Sequence, residues 1–393
     1  MGAFQASSAR GRRRATVWVA LGGMLGALPF LVAPVPLVHA DVSPPPPRTA
    51  GPPPKTFDIV ASGDLLIHRP VFDRARELGH GRYDFRPMLA RVRPVILSGA
   101  IAFCHVETPM GPGSPSGYPL FNTPPELAAA IKWAGWDACD TASNHSVDQG
   151  QAGVDSTAHA LDTAGVLHTG SFRSAAESRR ILIFRVQGIK VAFLAYAYGT
   201  NGLPLPNPWS VNLIWLPKIV ADARRARRLG ADLVIVNFHW GDEYIHQPNK
   251  QQRSLAVFLL RHRIVDLILG QHVHVVQPIR ELSGRFVVFG EGNLLSNQTA
   301  SCCPRESQDG LIAVAHVRVA GGRARVTGVD YIPTWVEHPS FVVQPISGRV
   351  ASSLVRLAPT NSWARDLLDS YRRTVAYAGT GPNVHPISRF SSR

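Results

Sequence analysis

Cysteine is scarce in this chain, at four among 393 residues, and so low a count excludes a small domain held together by a disulfide framework. No internal repeat recurs, which excludes a solenoid or propeller of stacked units. Acidic residues are also short: 27 Asp and Glu against 41 Lys and Arg leave a formal charge of +14. That balance points toward anionic partners such as wall polymers, lipid head groups or acidic substrates, with solubility alone as the plain alternative. Hydrophobic residues make up an ordinary 45%, enough to bury a core. The length suits one large α/β domain with appendages better than two equal domains.

The first 40 residues stand apart from that domain. Arg10, Arg12, Arg13 and Arg14 precede an apolar stretch from Thr16 to Val38, and Val38-His39-Ala40 has the small-residue pattern of a cleavage site. Residues 1–40 are therefore expected to be a signal peptide or an N-terminal anchor, and the protein to be extracytoplasmic: secreted, or associated with wall or membrane. Pro29, Pro34 and Pro36 interrupt what a spanning helix needs, which favours cleavage. Losing the four arginines still leaves +10, and outside the membrane nucleic acid is not an expected partner. Residues 41–56, with Pro44 to Pro47 and Pro52 to Pro54, read as a polyproline-type linker.

From Thr56 onward, apolar runs alternate with helix-like stretches. Phe57 to Ala61, Val95 to Phe103, Trp136 to Thr141, Ile181 to Val186, Lys190 to Tyr196, Leu233 to Phe238, Val265 to Leu269 and Phe286 to Phe289 read as strands. Pro125 to Ala134, Ala152 to Ala164, Leu216 to Leu229 and Gln251 to His262 read as helices. This alternation predicts an α/β architecture with functional loops at the strand ends. Leu311 to Val319 and Arg323 to Ile332 flank Ala320-Gly321-Gly322 and predict a hairpin that closes a sheet. The folded domain is expected over 57–335. A C-terminal extension, 336–393, would carry one helix from Trp363 to Tyr377. Arg224, Arg225, Arg227 and Arg228 read as the solvated face of a helix.

The chemistry lies in short polar clusters just past the apolar runs. Asp64 follows Ser62-Gly63, where a carboxylate would emerge at a sharp turn, with His68 four residues on as its candidate partner. His105 and Glu107 share one side of an extended strand by period-two geometry, and a buried glutamate needs a cation or a hydrogen bond. Asn144 and His145 pair an amide oxygen with an imidazole free to donate a proton. Asp148 is either a helix cap or the group that orients His145. His239 ends the purest apolar strand and is followed by Trp240, Glu243 and Tyr244, all able to hold a substrate. His272 and His274, at a spacing of two, would face the same way if extended and so meet one metal, or one metal and its substrate. Collected at one sheet edge, these groups form a ligand set for two divalent cations. Cys104 and Cys139 end apolar runs and read as buried neighbours, free or paired. Cys302-Cys303 reads as a loop position, with a vicinal bridge or a soft ligand as sharper alternatives.

With these motifs in place, the chain resembles the CapA family of poly-gamma-glutamate capsule accessory proteins, within the calcineurin-like metallophosphoesterase superfamily. The resemblance runs roughly from Asp58 to Asn297. It is carried by Gly63-Asp64-Leu65-Leu66, Val106-Glu107-Thr108-Pro109, Asn144-His145-x-x-Asp148-x-Gly150, His239-Trp240-Gly241-x-Glu243-Tyr244, Gly270-x-His272-x-His274 and Gly292-Asn293. It implies an α/β fold, a metallophosphoesterase-like four-layer sandwich of two central mixed sheets flanked by helices. It further implies Asp64, Glu107, Asn144, His239, His272 and His274 as metal ligands and His145 as general acid; beside it, Asp148 is expected to join His145 in catalysis, and Trp240, Glu243, Tyr244 and Asn293 are expected on the substrate. Departures from the family pattern are His105 for an asparagine, Gln271 and Val273 for histidine and proline, and Gly290-Glu291 for Ser-Leu.

The expected function is that of an exported accessory protein in the synthesis, export or attachment of a poly-glutamate or poly-glutamine type polymer. Membrane-embedded synthesis machinery would be a partner. The expected centre is a metal-dependent, phosphoesterase-like hydrolase site with two divalent ions drawn from Mn, Fe, Zn or Mg. Two alternatives stand beside it: a general extracytoplasmic metallophosphoesterase, and a non-catalytic polyanion-binding module.

Overall fold

The computed structural model describes residues 55–389. The leader expected at residues 1–40, and the linker as far as residue 54, lie outside the described residues. From its first described residue the chain forms β1 (Lys55–Leu65), α1 (Arg69–Leu78), α2 (Arg86–Leu89), α3 (Arg93–Ile96), β2 (Ile101–Val106), α4 (Glu126–Ala134), β3 (Ala138–Asp140), α5 (Gly150–Ala164) and β4 (Leu167–Thr169). Next come β5 (Leu182–Val186), β6 (Ile189–Ala197), α6 (Leu216–Arg228), β7 (Leu233–His239), α7 (Lys250–Arg261), β8 (Leu267–Gln271), β9 (Ile279–Leu282) and β10 (Arg285–Val288). The last part holds β11 (Asn293–Leu295), β12 (Asp309–Ala320), β13 (Arg323–Glu337), β14 (Val342–Pro345), α8 (Gly348–Leu357) and α9 (Ser362–Ala378).

Two mixed sheets result. The first runs β14-β13-β12-β1-β2-β3-β4, with β11 pairing to the end of β1; the second runs β5-β6-β7-β8-β10-β9. Side-chain alternation explains why each sheet has two apolar faces. In β1, Ile59 and Ala61 point between the sheets toward Val191, Phe193 and Ile235, while Val60 points outward to the layer that includes Leu127 and Ile131 of α4. In β7, Leu233 and Ile235 face inward, whereas Val234 and Val236 lie under Ile219 of α6 and Leu259 of α7. Phe103 stacks on Phe193 across the sheets at 4.1 Å. Burying each such side chain contributes roughly 1.5–3 kcal/mol. The product is the expected four layers, helices outside and two sheets within.

Because the crossovers between β1, β2 and β3, and between β6, β7 and β8, join parallel strands, the carboxyl ends of all these strands collect at one pole. Cys104 and Cys139 lie opposite each other in β2 and β3 and form a disulfide with Cα atoms 4.5 Å apart. Cys302 and Cys303 are free thiols.

Several elements differ from expectation for identifiable reasons. Val95 and Ile96 belong to α3, not to a strand, because Pro94 sits in the first turn of a helix and the strand begins only at Ile101. Lys55 and Thr56, placed in the linker by composition, pair with Val319 and Arg318 as the start of β1. The segment past 335 is not an extension with one helix. It completes β13, adds β14 to the first sheet, and contributes both α8 and α9, which bury Ala351, Leu354, Leu367 and Leu368 against Trp335 and Ile346. Among the described residues no helix is long and apolar enough to cross a membrane.

Candidate metal centre

Two glycines place the first ligand group. A side chain at Gly63 would set its Cβ 1.9 Å from the carbonyl oxygen of Gly292, so only glycine lets β1 approach there. The next residue, Asp64, donates its backbone N–H to that same oxygen at 3.0 Å and aligns with Asn293 at the start of β11. Gly270 is held likewise, its would-be Cβ lying 2.0 Å from the carbonyl oxygen of Phe289. This contact fixes the end of β8, from which His272 and His274 depart.

Around these anchors, donors from five strand ends converge. Asp64 Oδ2 accepts from His274 Nδ1 at 3.1 Å, and its Oδ1 lies 3.8 Å from His105 Nε2 and accepts from the backbone N–H of His272. Glu107 Oε1 lies 3.6 Å from His274 Nε2 and 4.0 Å from His239 Nε2. His239 Nε2 is 2.8 Å from Asn144 Oδ1. The ligand atoms of Asp64, His105 and His239, of Asp64, Glu107 and His274, of Glu107, His239 and His272, and of Glu243, His272 and His274 fall in groups within 4.8 Å of one another. All six residues expected as ligands are brought together here.

The donor set fits a divalent cation. Both carboxylate oxygens of Glu107 are buried without a hydrogen-bond partner, and so is Nδ1 of His272. A buried carboxylate without hydrogen bonds is costly unless cations meet it. Burial raises the Glu107 carboxyl to about 7, helped by the nearby charge of Asp64. Burial, then the neighbouring imidazoles, holds His239 and His272 well below the usual histidine value. Both rings are thus neutral, the state in which imidazole ligates. His274 behaves oppositely: burial would lower it, but Glu107 and Asp64 outweigh that and lift it to about 9.

Several assignments change. His272 and His274 do not sit on an extended segment, since both have left-handed backbone, φ 91° and 56°. The rings meet because the chain turns sharply after Gln271, a conformation that costs on the order of 1–3 kcal/mol per residue and occurs where surroundings enforce it. Trp240 is not a substrate contact. It is fully buried, donates from Nε1 to the Phe289 carbonyl at 2.9 Å and packs on Phe238. Asn293 is also fully buried, with Oδ1 3.1 Å from His274 Nδ1 and Nδ2 donating to Gln298 and Ser307, so it orients His274 instead of reaching a substrate. His68 does not touch Asp64; its Nδ1 lies by the Leu66 carbonyl and accepts from the N–H of Asn297.

His145 Nδ1 donates to Asp148 Oδ2 at 2.7 Å, and the same carboxylate oxygen accepts from the backbone of Phe121 at 2.8 Å. Asp148 thus fixes the ring and leaves Nε2 free, while the N-cap of α5 is Gln149. Glu243 is exposed at the rim and Tyr244 half-buried. Together with Leu66, Phe121, His145 and Gln298 they line a cavity of about 400 Å³ beside the cluster.

Sequence reasoning named His105 but left out the polar residues that support it and the layer around it. His105 Nδ1 donates to Asp140 at 3.0 Å, and its Nε2 lies 2.9 Å from His239 Nδ1. Burial opposes protonation of His105, but Asp140, Asp64 and Glu107 together raise it. Asn237 donates to Asp140 at 2.6 Å, and Gln271 donates to Glu291, whose carboxyl burial pushes to about 8. Each of these side chains occupies a polar position inside an otherwise apolar run. That interruption was the available signal.

The fold and this cluster define the class: a four-layer α/β sandwich with a buried carboxylate–histidine cluster at its strand ends. Within it, the family profile of bacterial capsule synthesis protein PGA_cap matches residues 58–298, and the chain belongs to that family. Similar proteins include the capsule biosynthesis protein CapA of Bacillus anthracis, 28% identical over 201 residues, or 50% of this chain and 48% of that one. The PGA biosynthesis protein CapA of Bacillus subtilis is 26% identical over 212 residues, 53% of this chain and 54% of that one. The chain therefore spans about half the length of the curated relatives it matches. Among solved structures, the calcineurin-like phosphoesterase YfkN from Bacillus subtilis is similar with a TM-score of 0.48 and 14% identity, over 83% of this chain and 99% of that one.

Proposed function

We propose that this protein is an exported accessory factor in making, exporting or attaching a glutamate-type capsule or wall polymer, and that it acts through metal-dependent hydrolytic chemistry at the strand-end cluster. The observation that carries the reading is the buried carboxylate of Glu107, neither oxygen of which is hydrogen-bonded, set among His239, His274 and Asp64. Family membership supports the choice of polymer. Asp64, Glu107, Asn144, His239, His272 and His274 would hold a pair of divalent ions, with His105 beside them. Bound there, such ions supply Lewis-acid polarisation of an anionic oxygen and a nucleophile at neutral pH.

The protein's own residues do the rest. Asp148 keeps the Nδ1 proton of His145 engaged, so Nε2 is the nitrogen that gives a proton to the leaving group. Asn293 fixes the ring of His274, and Asp140 fixes that of His105. Gln298 donates to the Tyr244 hydroxyl at 3.0 Å, which holds that phenol at the cavity wall where a substrate would lie. Metal analysis of the purified protein and of His272→Ala, with turnover on a phosphodiester and amide panel for wild type and His145→Ala, tests the reading. At least one bound divalent ion per wild-type chain, lost in His272→Ala, is expected, and turnover should fall 100-fold or more in His145→Ala. A wild type that takes up no metal ends it.

A second reading has its own observation. The cavity beside the cluster, about 400 Å³, is the size of a small-molecule site, which favours a general phosphoesterase acting on small esters. Turnover of small phosphodiesters with none of polymer ends would select it.

A further inference from the structure

The pole opposite the cluster carries a second constellation. There the amino-terminal ends of the parallel strands meet two hairpin turns, Ser283-Gly284 between β9 and β10 and Gly321-Gly322 between β12 and β13, both with left-handed backbone. Between them lies a cavity of about 470 Å³ whose charged lining is Arg263, Arg285, Arg323, Arg325 and Asp266. The single carboxylate is already spent. Asp266 accepts from the backbone of Val234 at 2.8 Å, pairs closely with Arg227, and lies 3.4 Å from Arg285 Nε.

The remaining guanidinium groups have no counter-charge among the described residues. Among the described residues, neither Arg263, Arg318, Arg323 nor Arg325 takes part in an ion pair, and all four are exposed. Moreover Arg318 stands directly opposite Arg325 in the β12–β13 ladder, and Arg323, two residues from Arg325, shares its face. Like charges facing each other across a ladder destabilise it. The nearest acidic residues on that sheet, Asp58 and Asp330, both hold His316, at 2.8 and 3.1 Å. Retaining such an array is understandable if an anion bridges it.

We propose that this arginine groove binds the carboxylates of an anionic polyamide chain, holding the polymer at the end of the molecule remote from the metal cluster. Guanidinium forks match carboxylates bidentately. Successive same-face positions on a strand repeat at about 7 Å, so the ribbon offers a series of cations to a series of carboxylates, where one lipid head group would engage a single pair. The groove is concave and flanked by turns from both sheets, which suits a thread better than a flat membrane surface. The inference rests on the proposed function only for the identity of the polyanion; the site itself rests on the unpaired arginines.

The test is fluorescence anisotropy of labelled poly-γ-glutamate with the full chain at 50 and 200 mM NaCl, for wild type, Arg323→Glu/Arg325→Glu, Arg323→Gln/Arg325→Gln and a matched reversal on α8, Arg349→Glu/Arg356→Glu. The groove reversal is expected to weaken binding at least tenfold and flatten its salt dependence, the glutamine pair to weaken it less, and the α8 pair to change it less than twofold. Equal losses in groove and α8 variants, or no loss in the groove variants, would overturn the proposal. Groove-dependent binding to phosphatidylglycerol vesicles without polymer binding would overturn it in favour of a membrane contact. Metal content on the same samples should be identical. If no sample holds metal, the proposed hydrolase fails while a groove-dependent loss of polymer binding still stands.

Discussion

At the scale of single residues, Glu107 does most to set the character of the site. Its carboxyl is raised by burial, so the folded state prefers it protonated; its contribution is greatest below the ordinary glutamate value of 4.5 and is lost as pH rises through about 7. Chelator-treated Glu107→Gln should therefore match wild type in urea unfolding near pH 4.5 and exceed it by about 1–3 kcal/mol above pH 7. Added Mn²⁺ or Zn²⁺ should raise the melting temperature of wild type only. A variant less stable than wild type at high pH without metal would show that the buried Glu107 carboxylate is not a net cost to the fold. The sequence disclosed the donors because each follows an apolar run. It did not disclose their backbone, since the left-handed turn at His272 and His274 depends on Gly270 meeting the Phe289 carbonyl, about twenty residues downstream. Trp240 was read by its chemistry, yet the indole's position over Phe238 and beneath Phe289 is a matter of packing that neighbours alone decide.

At the scale of elements, periodicity located α4, α5, α6, α7 and α9 to within one or two residues, because each has an apolar stripe long enough to register. It passed over α1, where only Val71, Phe72 and Ala75 are buried among charged residues, and α8, where only Ala351 and Leu354 are buried. The pairing of β2 with β3 yields a prediction. The Cys104–Cys139 bridge closes a loop with a sequence separation of 35, so its reduction should cost up to about 4 kcal/mol in urea unfolding; a Cys104→Ala/Cys139→Ala variant indifferent to reductant is the control. On the β1–β12–β13 surface, His316 is bound by Asp330 and Asp58, hydrogen bonds that raise it to about 10. A raised histidine stabilises fully below its ordinary value of 6.5, and the effect fades as pH climbs through about 10. The gap in thermal midpoint between wild type and His316→Gln should be largest near pH 6 and vanish above pH 10. A gap independent of pH would show that packing, not charge, is responsible.

At the scale of the whole molecule, the tail is part of the same body as the site. Arg373 of α9 meets the buried Asp309 at 2.7 and 2.9 Å, and Tyr377 stacks on His246 at 3.4 Å. Arg373→Ala should destabilise the protein by roughly 3–5 kcal/mol, since it strands a buried carboxylate, whereas Arg373→Ala/Asp309→Asn should recover much of the loss. Equilibrium unfolding of both variants decides the point. The alignment of Asp64 with Asn293 and the contact of Asp64 with His274 carry one more consequence, for biogenesis. A nascent chain still short of β11 has synthesised the first donor without the partners that hold it, so its cradle cannot yet exist. The proposed centre would then become able to take up ions only once the chain through β11 has been made, so a chain truncated before Asn293 should retain none.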